Sequence, residues 1–248
     1  MAYSILPGFY QNNIRMKIAF RIFLFFSLLF AYSFTYAQSS TIDPDKVYGL
    51  DPLLYNGKIY NFVPPAAIEG TPYFDGADFV KGSVKLRGVT YDNLLLKYDV
   101  FHQQLILQYK TSLGADNQIV ISDAWLEAFS MGGHHFEMLA IQDTLKGIYE
   151  VMGTGTYRIL YSWRKELLLE SYLGATHRLF SVSKKETYLL AGTKLSKYNN
   201  NRHFTTLFGP SQQVILKKYL RQQKINVKKA SDQAITELIN YCNTISTQ

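Results

Sequence analysis

The chain has a single cysteine, Cys242. An exported protein with one cysteine has no internal disulfide and must be held by the packing of its core. No N-x-[ST] sequence occurs anywhere, which favours a bacterial envelope over a eukaryotic secretory route. Between residues 80 and 200 no sustained 3.6-residue apolar stripe flanked by helix caps is present, which argues against a helical body. Charged residues are sparse at 18%, against 47% hydrophobic over 248 residues. That balance argues against disorder and suits one domain with a real core. Aromatic residues, in contrast, are abundant, with 19 tyrosines and 16 phenylalanines. Flat rings pack well on a pleated surface, so the composition leans towards β structure.

The N-terminus reads as a targeting segment. Arg15, Lys17 and Arg21 precede the apolar run IFLFFSLLFAYSF, which ends at TYAQSS with small residues at Thr35 and Ala37. This predicts a secretory signal over residues 1–37, cleaved after Ala37. The run is shorter than the ~20 residues of a spanning helix, so no transmembrane helix is expected in the mature chain. Met16 opens a signal of ordinary length, MKIAFRIFLFF, and is the expected true start. No cysteine stands directly after the expected cleavage site, where Gln38 follows Ala37, so no lipid anchor is expected there. Residues 1–37 hold three basic and no acidic residues, so their removal lowers the net charge from +7 to +4.

After an N-terminal extension over 38–57, residues 58–205 read as one strand after another. Leu94, Leu96 and Tyr98 alternate with Leu95, Lys97 and Asp99, and Leu105, Leu107 and Tyr109 fall on one side of the next run. The period of two marks strands with one face in the core. NQIVIS, GIYEVMG, YRILYSW, HRLFSVS and TYLLAG continue the series, separated by GTG, GATH and SKKE as turns. The segment SDAWLEAF carries some helical character. The predicted fold is mainly β, an antiparallel meander that rolls, sandwiches or closes like a barrel, with a C-terminal helical pair packed on it over 206–248.

AFSMGGHHFEML, residues 128–139, resembles the nucleophile turn of serine hydrolases. A nucleophile turn needs a strand entering and a helix leaving, above a parallel sheet. Here the neighbours read as hairpins. His135 and Glu137 alternate with Phe136 and Met138, so SMGG is expected to be a hairpin turn whose glycines take positive backbone angles. A catalytic Ser130 would require a positioned base, for which Asp143 and His177 are partners on paper only. His102, His135, Glu137, His177 and His203 are the candidate zinc ligands, but nothing in their spacing shows convergence, and HHFE lacks the helical i, i+4 pair of the metalloprotease motif. No catalytic residue, metal site or cofactor is therefore expected.

The C-terminal quarter changes character. QQVILKKYLRQQ places Ile215, Leu216, Tyr219 and Leu220 on one helical face and Lys217, Arg221 and Lys224 on the other, with Ser211 as the expected N-cap. In SDQAITELINYCNT, Ile235, Leu238, Ile239 and Cys242 recur at helical spacing, which buries Cys242. Between residues 211 and 231 stand six basic residues and no acid, namely Lys217, Lys218, Arg221, Lys224, Lys228 and Lys229. This tract is the candidate binding site, for an anionic lipid headgroup, a glycan or another envelope protein. Export argues against nucleic acid.

The series GTPYF, GSVKLRGVTYDNLLLKYDVFHQQLIL, AFSMGGHHFEML and GIYEVMGTG resembles an uncharacterised family of secreted β-rich proteins from Gram-negative bacteria, over about Tyr48 to Ile245. The resemblance implies fold and export, and carries no functional residues over. The expected function is a non-catalytic envelope protein, periplasmic or extracellular and associated with the outer-membrane surface, whose β scaffold binds a partner. The alternatives are a carrier of a lipid or other hydrophobic ligand in a β cavity, and a hydrolase using Ser130.

Overall fold

A computed structural model describes residues 50–62, 68–111, 113–141, 146–172 and 175–246. The expected signal segment, Asp143 and the start of the GATH turn lie outside the described residues. Among the described residues, strands β1 (Lys58–Ile59) to β14 (Lys194–Lys197) precede three helices, with β2 at Ile68–Glu69, β6 at Asp116–Val120, β11 at Leu167–Tyr172 and β12 at Ala175–Phe180. Eleven strands form one sheet in the order β1-β6-β5-β4-β3-β7-β8-β9-β10-β13-β14, and β11, β12 and β2 form a small second sheet. All pairings of the large sheet are antiparallel, and β2 joins β12 in parallel through two residues. The large sheet is open, with β1 and β14 at its edges and no barrel closure.

Alternation explains which face is buried. In β4 (Val89–Asp99) and β5 (Gln104–Lys110), Leu96 stands opposite Leu107 and Tyr98 opposite Leu105, all fully buried. Phe129 of β7 (Leu126–Met131) pairs with Phe136 of β8 (His134–Leu139), rings stacked at 4.7 Å. Tyr98 meets both edge-on, a favourable arrangement for ring quadrupoles. Between β7 and β8, Gly132 and Gly133 have φ of 57° and 83°, the two positive angles of a two-residue hairpin turn. SDAWLEAF is not a helix: the Ser122 carbonyl accepts from Trp125 and Leu126 to make one turn, and the chain then enters β7. Pairing of Leu126–Met131 with β3 (Val80–Leu86) overrides the local helical preference.

The second core lies where helices cover β9 (Gly147–Met152), β10 (Tyr157–Arg164) and β13 (Lys184–Ala191). Helix α1 (Asn201–Thr206) is capped by the Asn200 side chain, which accepts from the His203 N–H at 2.8 Å. Helix α2 spans Pro210–Gln222 and α3 spans Asp232–Ser246. Ile159, Tyr161 and Leu189 of the sheet pack with Phe204, Leu216, Leu220, Ile235, Leu238, Ile239 and Cys242. The four residues read as the apolar stripe of α3 are all completely buried. Ser211 is not the N-cap of α2. Gly209 takes that position and Pro210 opens the helix, because the proline ring is already set to helical φ and no N–H is needed there.

Candidate functional site

The basic tract supplies most of a concavity. Lys217 and Arg221 project from α2, Lys224 follows its C-terminus, and Arg202 reaches in from α1 with Asn201 and Thr205. Leu220 and Ile225 contribute apolar lining, and the space is about 380 Å³. Asn201 fixes one wall, donating from Nδ2 to the Ile225 carbonyl at 2.6 Å and accepting from the Val227 N–H at 2.8 Å. Lys224 adopts left-handed φ of 52°, and the following Ile225 N–H donates to the Leu220 carbonyl at 2.9 Å, so the chain turns sharply and brings Lys224 back beside Arg221.

Among the described residues, none of these four cations, nor Lys218, Lys228 or Lys229, is paired with a carboxylate. Elsewhere the chain pairs its cations readily: Lys85 with Glu127, Lys110 with Asp116, Arg158 with Glu137, Lys184 with Glu166 and Lys197 with Glu186. No acidic residue occurs between Glu186 and Asp232. The result is a concave, locally uncompensated positive field, which concentrates anions.

Of the six tract residues, the structure brings Lys217, Arg221 and Lys224 together and leaves Lys218, Lys228 and Lys229 exposed outside the lining. The helical faces also differ in detail. Leu216 and Leu220 are buried as expected, but Ile215 is 42% and Val214 70% exposed. The cations therefore flank Leu220 instead of lying opposite a wholly apolar face. Arg202 escaped the sequence reading because it lies on a separate short helix, which Asn200 as N-cap could have signalled.

The SMGG hairpin places the Ser130 hydroxyl 2.9 Å from His135 Nδ1, because the two residues are cross-strand partners. The other ring nitrogen of His135 lies 3.7 Å from Glu137, beyond hydrogen-bond distance, and Glu137 is held by Arg158 at 2.8 Å. A catalytic triad needs the carboxylate to orient the imidazole through a hydrogen bond; here Arg158 holds Glu137 Oε2, and Oε1 stands 3.7 Å from the ring. Of the candidate zinc ligands, only His135 and Glu137 are neighbours. His102 sits beside Asp99, His177 on β12 (Ala175–Phe180) and His203 on α1.

Among the described residues, two carboxylates, Asp99 and Glu150, are fully buried. Asp99 accepts from the His102 N–H at 2.9 Å and from the Tyr60 hydroxyl at 3.0 Å, and lies 2.7 Å from His102 Nδ1. Burial, helped by Tyr73 and Asp99, pushes the Tyr60 phenol far up, so it stays a donor. Glu150 lies 2.5 Å from His134 Nδ1 and accepts from Trp163 Nε1 at 2.6 Å. The sequence did carry a signal for Glu150. In GIYEVMG it occupies the same strand face as Ile148 and Met152, an acid where the alternation demands an apolar residue.

Comparison with known protein families, curated proteins and solved structures finds no match.

Proposed function

We propose that this chain is an exported, non-catalytic protein of a bacterial envelope whose β scaffold presents a basic pocket to an anionic envelope component. It groups on this reading with the secreted β-rich proteins it resembles, and works in the periplasm or at the outer-membrane surface. The single observation that carries the proposal is the convergence of Arg202, Lys217, Arg221 and Lys224 on one concavity with no carboxylate partner among the described residues. Two guanidinium groups suit phosphate or carboxylate oxygens, which they bind through forked hydrogen bonds. Leu220 and Ile225 in the lining, with Val214 exposed on the same helix, add apolar contact beside the anion. A carrier function is less well supported, since the sheet is open and its inner face is filled by Leu96, Tyr98, Phe129 and Phe136. No helix among the described residues is long and apolar enough to cross a membrane.

Co-sedimentation tests the reading. The protein should pellet with phosphatidylglycerol vesicles and not with phosphatidylcholine vesicles if the anion is a lipid headgroup. It should instead bind soluble polygalacturonate if the anion is a glycan. Failure to bind either polyanion at low salt would contradict the proposal.

A further inference from the structure

The seam between the two cores carries a second polar cluster that the basic pocket does not use. We propose that His134, Glu150 and Asp232 form a binding site for one first-row divalent transition-metal ion, Zn²⁺ among the ions tested below binding most tightly. Three separate elements deliver them: His134 opens β8, Glu150 lies in the middle of β9, and Asp232 is the first residue of α3. One ligand atom from each lies within 4.8 Å of the others, and no other such group of three occurs among the described residues.

Charge balance supports a cation here. Glu150 is 1% exposed, and a buried carboxylate is costly without a counter-charge. His134 and Trp163 contact the Glu150 carboxylate, but among the described residues no lysine or arginine pairs with it, whereas Asp232 is exposed to solvent. The nearby cation Lys185 lies over the rings of Tyr161 at 4.1 Å and Trp163 at 5.4 Å and forms no ion pair with either acid. A divalent ion would supply the missing charge.

The surroundings have the features of an outer shell that orients metal ligands. Trp163 Nε1 donates to one Glu150 oxygen at 2.6 Å, which fixes the carboxylate and aims its other oxygen at His134. Phe74 packs edge-on against His134 at 5.0 Å and Trp163 at 5.1 Å, excluding water on that side. On the other side the His134 side chain is 29% exposed and Asp232 is exposed, so an ion can enter and complete its shell with water. The His134 to Glu150 contact of 2.5 Å must open to about 3 Å for both atoms to sit ~2.0–2.2 Å from one ion. One imidazole nitrogen with two carboxylates favours Zn²⁺ over the all-oxygen ions Ca²⁺ and Mg²⁺, and Zn²⁺ binds such sites more tightly than Mn²⁺.

Calorimetric titration of the purified, EDTA-stripped and dialysed protein with ZnCl₂, MnCl₂ and CaCl₂, paired with thermal unfolding, tests this. One equivalent of Zn²⁺ should bind and raise the melting temperature, Mn²⁺ should bind more weakly, and Ca²⁺ should give no heat of binding. Asp232→Asn, a change at an exposed position, should weaken Zn²⁺ at least ~10-fold, and His134→Ala should abolish the 1:1 binding. His135→Ala, which removes the histidine on the opposite face of β8, should leave it unchanged. Absence of stoichiometric Zn²⁺ binding would overturn the proposal, as would binding that survives both the Asp232 and His134 changes or is lost with His135. Because the basic pocket has no part in this titration, neither outcome bears on anion binding.

Discussion

Gly153, in the turn between β9 and β10, passes so close beneath Ile239 of α3 that the Ile239 Cγ2 methyl occupies the place of any β-carbon on Gly153. The glycine also has φ of 78°. Asn243, one turn further along α3, holds the same loop, accepting from the Tyr157 N–H at 2.8 Å and donating to the Thr154 carbonyl at 2.9 Å. Gly153→Ala therefore combines a clash with backbone strain and should destabilise the fold by roughly 2–4 kcal/mol. Urea unfolding checks this, and an unchanged midpoint would refute the packing of α3 on that turn.

Gly132 and Gly133 provide the contrast. Both have positive φ, but open space surrounds them. Alanine at either position should cost only about 1 kcal/mol, from backbone strain alone. Ser130→Ala should move the midpoint less than either glycine change. A fluorophosphonate probe should leave Ser130 unlabelled in the folded protein, since the Glu137 carboxylate stands 3.7 Å from His135 Nε2, beyond hydrogen-bond distance. Stoichiometric labelling would restore the hydrolase reading.

Cys242 is completely buried, and burial pushes its thiol up to about 12. The thiol should not react with Ellman's reagent at pH 8 until the protein is unfolded. The sign of the pH effect follows from the raised value. The folded state holds the proton more tightly, so this contribution to stability is complete below pH 9 and is lost as pH rises towards 12. Alkaline denaturation in that window should become shallower in Cys242→Ala.

Tyr198 is 2% exposed and its hydroxyl is the one buried side-chain polar atom without a hydrogen-bond partner among the described residues. Tyr198→Phe removes a desolvated group and keeps the ring against Phe204 at 5.1 Å. The change should be neutral or stabilising by up to ~1 kcal/mol in thermal unfolding. A loss beyond that would mean that the hydroxyl is satisfied in solution.

The strands were legible from alternation: Leu96, Tyr98, Leu105 and Leu107 recur at a period of two on one buried face. The opposite face is not uniformly wet, since Asp99 and Ile106 are fully buried as well. The α3 stripe was legible for the corresponding reason at helical period. Three features were not. The Ser122 turn looks helical in isolation and is decided by pairing with β3. The order of β3 beside β7, and of β10 beside β13, depends on long-range pairing that local periodicity does not encode. The convergence of Arg202 with Lys217, and of His134 with Asp232, is set by how α1 and α3 lie on the sheet. The basic tract was visible as composition, whereas its division into three pocket residues and three outlying ones depended on the turn at Lys224.

The most direct test of anion binding compares the unmodified protein with Lys217→Glu/Arg221→Glu/Lys224→Glu in co-sedimentation with phosphatidylglycerol vesicles and in polygalacturonate binding, across a salt series. These side chains are exposed, so the fold should survive their reversal, as far-UV circular dichroism would show. The account predicts that the unmodified protein binds one of the two polyanions at low salt and weakens as salt rises, since exposed charges are screened over about 10 Å at 0.1 M ionic strength. It further predicts that the triple reversal abolishes binding, whereas Lys228→Glu/Lys229→Glu weakens it much less. An unmodified protein that stays in the supernatant and binds no polygalacturonate at low salt, or a triple variant that binds as well as the original, would contradict it.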